Sequence, residues 1–374
     1  MNKFTLAAIG TVAILLAGCS HSDRPSETSL INIDLEKQIE AQPTGLDRAE
    51  ARFVVQPALT DSSMLLPPTA SDGVALRGVH NGCLMLTNKG SMMTFDEADG
   101  RCIHSFSHIG QGPGDYSWLS PYTYVGADGN WNTVHSCGVN VYTQAGDFLV
   151  RHELDSLREI APLPGGYWAA MMKEFDQPQT IYIYDTQWKP VKQLSTTAVS
   201  RRYRMSDGLP VTEIVDFSRS SSFVGVMQGD TLMAIDPEAE DLVPIARIDC
   251  GTYSKPKEYT SLEDMKEKGA QCLYFFTFPV GKYLMVNSYM GEKAWLQFYD
   301  RADGSLVYSN SGTRNLNNGS ISFPIEIDGT TYPCSITACV DGSTLYLVTD
   351  SDFMAELTGD EDANPAFISL KLKD

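Results

Sequence analysis

The chain has 374 residues and a formal net charge of −19. Acidity of this size, spread along the chain rather than gathered in one run, excludes a nucleic-acid backbone or an anionic membrane surface as the main partner and points to a solvated surface. The length exceeds the rough prior of about 150 residues for one domain, an excess that large all-β folds carry as a single unit.

In chain order, the first segment reads as an address. Lys3 gives a short positive region, Phe4 to Leu16 is mostly apolar, and Leu16-Ala17-Gly18-Cys19 places small residues before a cysteine. That is the order of a secretory signal over residues 1–18, with an apolar part too short to remain as a membrane-spanning helix. The Leu-Ala-Gly-Cys string resembles the bacterial lipobox, and the resemblance implies a lipid such as palmitate on Cys19, which becomes residue one. An ordinary signal with a coincidental cysteine and an uncleaved anchor are the alternatives. Removing residues 1–18 takes away Lys3 and no acid, leaving −20. Ser20 to Ser29 is polar and contains Pro25, so residues 19–30 read as a flexible tether. The expected membrane partner is therefore reached through the lipid on Cys19, anchored to rather than spanning. Ser20-His21 lacks the aspartate of enterobacterial-type inner-membrane retention, which leans the expected location toward the outer membrane of the cell envelope.

A weak repeat follows. Ser91 to Asp96, Val139 to Thr143, Ile181 to Asp185, Thr231 to Asp236 and Trp295 to Asp300 are apolar or aromatic runs. Each leads through a polar turn into a second run, which is a hairpin pattern. A further strand precedes each: Cys83 to Thr87, Trp131 to His135, Tyr167 to Met172, Phe223 to Gln228 and Tyr283 to Ser288. The equivalent turn positions, Asp96, Thr143, Asp185, Asp236 and Asp300, are 47, 42, 51 and 64 residues apart. Such periods fit four-stranded antiparallel propeller blades.

The widest gap holds a helical insertion near 261–268, with a capping box of Thr260 and Glu263, an Asp264–Lys268 pair and a stop at Gly269. A sixth unit comes from Ser335 to Val340, Thr344 to Thr349 and Ala366 to Leu372, with its fourth strand supplied by Ala51 to Gln56. The expectation is an all-β fold: one six-bladed β-propeller over residues 31–374, closed by its N- and C-terminal strands so that no long edge stays open. A seven-bladed ring or an array of β-sandwiches fits the same spacing.

Between the first and second units lies Gly110-Gln111-Gly112-Pro113-Gly114-Asp115-Tyr116. Following a strand–turn–strand unit, this string resembles a segment of the TolB-like six-bladed propeller lipoproteins of Bacteroides-type bacteria. Lipobox, chain length and repeat agree with that family over most of the mature chain. The resemblance implies an envelope lipoprotein with a propeller fold and no assigned chemistry. From the residues alone, Gly110, Gly112 and Gly114 permit positive φ and close backbone approach, and Pro113 stiffens the loop. Asp115 is suited to accept backbone N–H bonds, and Tyr116 to pack across a blade interface. The loop is read either as a structural crossover between blades or as a ligand-face loop whose N–H groups bind an anion.

Apart from Cys19, seven cysteines remain: Cys83, Cys102, Cys137, Cys250, Cys272, Cys334 and Cys339. The odd number, with no C-x-x-C, excludes a fully paired framework and metal-type spacing. Cys334 and Cys339 are the nearest pair, but five residues along one strand hold them apart. No H-E-x-x-H, H-x-H, G-x-S-x-G or Walker-type string occurs, His104 and His108 do not form a helical pair, and Ser220-Ser221-Ser222 reads as a turn. No cofactor is expected. Calcium is the one candidate, at Asp128-Gly129-Asn130 or Asp341-Gly342-Ser343, although D-G is also the ordinary hairpin turn.

Trp118, Tyr122 and Trp168 are candidate aromatic contacts, and Arg201, Arg202 and Arg204 form the single basic cluster, placed in a loop. Three functions fit. The favoured one is a non-catalytic binding or scaffold lipoprotein for an envelope protein or glycan. The alternatives are a lactonase-like propeller hydrolase or lyase with a channel metal, and a subunit or sensor of an envelope assembly.

Overall fold

The computed structural model describes residues 30–373 except 41, 61–62, 66–72, 136–137, 205–207, 209, 214 and 257–258. The signal segment 1–18, Cys19, the rest of the tether up to 29, and Cys137 lie outside the described residues. Among the described residues, no helix is long and apolar enough to cross a membrane.

The chain is all-β with a propeller arrangement of four-stranded blades. The first sheet runs Ala75–His80, Cys83–Asn88, Ser91–Asp96, Cys102–Phe106. The second runs Thr123–Val125, Trp131–His135, Gly138–Tyr142, Phe148–Glu153, and the third Leu157–Pro162, Trp168–Met172, Pro178–Tyr184, Pro190–Val199. The fourth holds Phe217–Ser220, Phe223–Gln228, Thr231–Ala234 and Val243–Asp249, and Ile31–Asp34 adds to its outer edge in parallel. All other neighbours within these sheets pair antiparallel.

The expectation of six separate blades needs correction. Four blade-sized sheets stand apart, a two-stranded hairpin, Arg201–Arg204 with Pro210–Glu213, lies between two of them in the chain, and the other strands form one nine-stranded sheet from Tyr274–Val280 to Phe367–Leu372, ending on Ala49–Val55. The join is a ladder of only two residue pairs, Thr313↔Ser322 and Arg314↔Ile321. It links Leu306–Arg314 to Ile321–Ile327, a strand whose short mixed run the hydropathy pattern does not separate. Phe276 on the first strand of this sheet and Ile336 on the sixth line one cavity. Five strand spacings of about 4.8 Å would hold them roughly 24 Å apart in a flat sheet, so the sheet folds back on itself. Ala49–Val55 pairs antiparallel with Phe367–Leu372 and is the fifth strand of that end, because Ile321–Ile327 already adds one.

The repeat in the sequence is a repeat of turns. Asp96 Oδ1 accepts from Ala98 N at 2.9 Å, Asp185 Oδ1 from Gln187 N at 2.9 Å, Asp236 Oδ1 from Glu238 N at 2.8 Å and Asp300 Oδ1 from Ala302 N at 2.9 Å. Thr143 does the same work with a hydroxyl, accepting from Asp147 N at 3.0 Å. A short side-chain oxygen that captures an N–H further along the turn ends each third strand and starts the fourth.

Second strands such as Cys83–Asn88 and Trp131–His135 are buried on nearly every residue because both faces meet a neighbouring sheet. The apolar cores run around the ring without a gap. Met85 and Met92 of the first sheet meet Trp131 and Tyr142 of the second. Val139, Ile160 and Val224 join the second, third and fourth. Leu232 and Ile248 meet Leu284 and Trp295 of the large sheet. Phe278 packs with Leu345 and Ile368 inside that sheet's fold, and Val348 and Phe367 close on Leu84 and Phe95 of the first. Each fully buried Leu or Phe in these layers adds roughly 2 kcal/mol.

The inserted helix spans Leu262–Ala270. Its N-cap is Ser261 rather than Thr260: Ser261 Oγ accepts from Asp264 N at 3.1 Å, while Asp264 Oδ2 accepts from Thr260 N at 2.8 Å. Gly269 sits inside the last turn instead of stopping it, and Lys268 pairs with Asp264 at 2.7 Å. A second helix, Ser351–Thr358, has the usual marks that the sequence reading passed over: Asp350 caps it and Gly359 ends it at φ 75°.

Candidate functional site

The first strands of the separate sheets, with Thr330–Asp341 of the large one, pack toward a common centre. Two of the first strands carry bulges there, and Thr330–Asp341 shifts register between Ile336 and Val340. The pairing of the first sheet shifts between Leu76 and Gly78, and that of the third between Leu157 and Glu159. The extra residues are Arg77 and Arg158, and an unpaired bulge residue is free to swing its side chain off the pleat.

A charged network results. Glu159, fully buried, forms an ion pair with Arg219, accepts from Phe217 N at 3.1 Å and takes a long bond of 3.5 Å from the Tyr124 hydroxyl. Arg158 pairs with Asp216 and donates to Ser200 Oγ at 3.2 Å; Ser200 Oγ also accepts from Val215 N at 3.1 Å. The Tyr122 hydroxyl donates to Asp216 Oδ1 at 3.1 Å. The Arg219 guanidinium lies 5.2 Å from the Tyr122 ring and 5.3 Å from the Tyr124 ring. Arg77 donates to Thr87 Oγ1 and to the Pro121 carbonyl, each at 2.9 Å. Desolvation lowers its guanidinium to about 10, which leaves it charged at neutral pH. Burial raises the phenols of Tyr122 and Tyr124, so both stay neutral there.

Both carboxylates at this centre are thus committed to arginines, and three cations meet two anions in a strongly acidic chain. Across the centre, Ser221 N donates to the Ala338 carbonyl at 3.0 Å and Ser221 Oγ accepts from Val340 N at 2.8 Å. Ser221 and Ser222 form the turn after Phe217–Ser220, and Ser221 stitches it to the opposite strand. These groups fasten separate sheets to one another. Sequence reasoning missed Arg77, Tyr124, Arg158, Glu159, Asp216 and Arg219. The available signal was a charge inside an otherwise strand-like run, as in Leu157-Arg158-Glu159-Ile160-Ala161.

The residues singled out from sequence are placed as follows. In the glycine-rich loop, Asp115 Oδ2 accepts from Gly112 N at 2.6 Å, Gly110 N donates to the Tyr116 carbonyl at 3.1 Å and Asp115 N to the Gly112 carbonyl at 3.1 Å. Tyr116 is buried, and its hydroxyl donates to the Gly90 carbonyl at 3.0 Å. The glycines are needed for close approach and not for positive φ. A Cβ on Gly110 would sit 2.2 Å from Asp115 Oδ2, and one on Gly114 2.7 Å from the Phe148 ring. None of the three has φ in the left-handed region. Gln111 is exposed at the tip.

Trp118 is exposed, Tyr122 is held in the central network, and Trp168 belongs to the core, its ring 5.2 Å from Trp188. The basic cluster is not a loop. Arg201–Arg204 pairs with Pro210–Glu213 as a two-stranded hairpin between the third and fourth sheets. Arg202 stacks 3.7 Å over Phe175 and donates from its backbone N–H to Asp176 Oδ1 at 3.1 Å, while Arg201 is exposed. The Arg204 side chain lies outside the described residues. These candidates do not come together in one place.

Asp128-Gly129-Asn130 is a hairpin turn in which Asp128 takes both the Asn130 backbone N–H and its side-chain amide, at 3.0 and 2.7 Å. Asp341-Gly342-Ser343 turns between two strands with Gly342 at φ 56°. Among the described residues, no group of three or more His, Cys, Asp or Glu side chains is gathered for a metal ion. All six described cysteines carry free thiols, Cys334 and Cys339 included.

No family model matches the chain, and no curated protein matches it. Several solved structures are similar to it at low identity. A member of the DUF4221 family from Bacteroides vulgatus is 11% identical, over 87% of this chain and 99% of that one, with a TM-score of 0.49. A protein of unknown function from Bacteroides caccae is 12% identical, over 64% and 81%, at 0.37. BamB from Moraxella catarrhalis is 10% identical, over 86% and 97%, at 0.37.

Proposed function

We propose that this chain is a TolB-like propeller lipoprotein of the cell envelope, held at the outer membrane by a lipid on Cys19, and that it acts as a non-catalytic docking platform for a partner protein. In this reading the folded-back nine-stranded sheet serves as two of six blade sectors, and Ala49–Val55 closes the ring on the C-terminal strand.

The observation that carries it is the outer edge of the second sheet. Ile31–Asp34 covers the outer edge of the fourth sheet, and Ala49–Val55 lies on Phe367–Leu372. Phe148–Glu153 ends the second sheet with no strand beyond it among the described residues. It presents Phe148, Leu149 and Val150 in succession, 37%, 49% and 41% exposed. Native edges are ordinarily blunted by charge or cover, and a bare apolar edge is a template for another chain. The register shifts between Phe148 and Val150, which interrupts the strand's alternation, and the Phe148 ring rests partly on Tyr142, 5.8 Å away. Commitment of both central carboxylates to arginines favours docking over hydrolysis.

The test is affinity capture of the full-length chain from detergent-solubilised envelope, beside Leu149→Lys and Cys19→Ser chains. The reading expects one stoichiometric protein with the parent chain, its loss with Leu149→Lys, and release of Cys19→Ser into the soluble fraction. Equal recovery with the parent and Leu149→Lys chains, or membrane retention of Cys19→Ser, would overturn it.

A further inference from the structure

The central network leaves one charge unanswered. Glu159 is committed to Arg219 and Asp216 to Arg158, so Arg77 has no carboxylate of its own. Its Nε and Nη1 reach only neutral acceptors, Thr87 Oγ1 and the Pro121 carbonyl. The titratable groups that act on it are Arg219, a second cation, and the neutral Tyr124, and no carboxylate is among them. Burial nevertheless strips water from this guanidinium. A charge taken out of water is ordinarily paired, and none of the described residues pairs this one.

The donors that remain can be reached. Arg314 Nε is sealed from solvent without a partner, whereas no atom of Arg77 or Arg219 is in that condition. Arg77 Nη2, which donates to no protein group, is therefore accessible, and Arg219 keeps 20% of its side chain exposed. Arg77 is the bulge residue on the innermost strand of the first sheet. A Cβ on its neighbour Gly78 would sit 3.1 Å from Val125 Cβ, so the second sheet approaches closely there. That approach sets Arg77 beside Tyr124, and the Arg219 guanidinium lies 5.3 Å from the same ring. Two guanidiniums with unspent donors thus flank one tyrosine. Their planar forks match a planar oxyanion. Three cations and two anions leave a surplus of one positive charge, which one singly charged anion balances. A dianion would overshoot it beside Glu159 and Asp216. From this arrangement we propose that the centre of the propeller is a binding site for a carboxylate, held between Arg77 and Arg219. The site lies at the edge of the second sheet opposite Phe148–Glu153, so its failure would leave the docking reading untouched.

The experiment is carbon NMR of carboxyl-labelled acetate and N-acetylglycine with the full-length chain, in a non-ionic detergent at constant ionic strength. N-acetylglycinamide is the neutral control, and chloride and inorganic phosphate are the competitors. The chain should broaden the carboxylate line of at least one probe and leave the amide untouched. Tighter binding of acetate supports a free small acid as the occupant, and tighter binding of N-acetylglycine supports a peptide C-terminus. Arg77→Gln should weaken binding at least about tenfold, the usual worth of a hydrogen bond to a charged group. Asp216→Asn, at a half-exposed position, keeps an acceptor for Arg158 and removes a neighbouring negative charge. It should therefore tighten binding at least about twofold, a direction that loss of packing would not produce. The proposal is overturned by no broadening of either carboxylate or by equal broadening of the amide. It is also overturned by displacement at lower concentrations of chloride or phosphate than of unlabelled carboxylate. Equal affinity in the Arg77→Gln chain, or unchanged or weaker binding in Asp216→Asn, has the same consequence. An Arg77→Gln chain that melts several degrees lower with its affinity intact would assign Arg77 to joining the sheets alone, and also overturns it.

Discussion

Glu159→Ala tests the central network most severely. Glu159 is fully buried, its partner Arg219 is 20% exposed, and the Phe217 N–H depends on the same carboxylate. Removing one member of a buried ion pair costs about 3–5 kcal/mol, because the other charge is left without compensation. The orphaned N–H belongs to the same local loss, so it does not add in full. A cost of about 4 kcal/mol is therefore expected, a large part of the roughly 5–15 kcal/mol that holds a folded domain. The matched control is Asp230→Asn, which breaks the Arg247 pair on the surface, where the side chains are 58% and 42% exposed. That change should cost less than about 1 kcal/mol. Urea unfolding of the full chain, followed by tryptophan fluorescence, measures both. If Glu159→Ala costs under about 1 kcal/mol, or no more than Asp230→Asn, the claim that this network fastens the sheets is wrong.

Gly114→Ala should destabilise by about 1–3 kcal/mol, since its Cβ would press on the Phe148 ring at 2.7 Å and disturb the carbonyl that accepts from the Tyr142 hydroxyl at 2.6 Å; an unchanged melting temperature would remove the packing account of this loop. Burial drives the Cys250 thiol up to about 11 and Cys339 to about 12, and raises Cys334 as well. Iodoacetamide at about pH 8 should leave these three untouched in the native chain and alkylate them in urea, as read by peptide mass spectrometry; native labelling at any of them contradicts the burial. Burial also holds the His152 imidazole below its ordinary pKa. Its contribution is present above the unfolded value of about 6.5 and is lost as pH falls toward the folded value, because the unfolded chain then binds the proton more readily. His152→Gln should flatten the decline of the urea midpoint between about pH 7.5 and about pH 5.5, and an equal slope in both chains would refute the assignment.

The fold was legible where local chemistry repeats. Asp96, Asp185, Asp236 and Asp300 mark the same turn because a short side chain capturing an N–H is a local event, and Thr143 substitutes because a hydroxyl does it too. The helix near 261–268 was visible for the same reason, one residue out of register, since Thr260 and Ser261 are both able caps. The joining of the last strands into one sheet was not legible. It depends on two backbone pairs between Thr313-Arg314 and Ile321-Ser322, which no side-chain period records. The central network was hidden because Arg77, Arg158, Glu159 and Arg219 come from three sheets and meet only in space, Arg77 and Arg158 through bulges that break the strand period.

The account turns on the apolar edge of the second sheet as a place where another protein docks. The direct measurement is site-specific photo-cross-linking in intact cells, with the reactive group at Leu149 and, for comparison, at Leu357, which is 47% exposed on the Ser351–Thr358 helix. The account predicts one discrete cross-linked product from Leu149 and none of that mass from Leu357. The same product from both positions, or no product from Leu149, would contradict it.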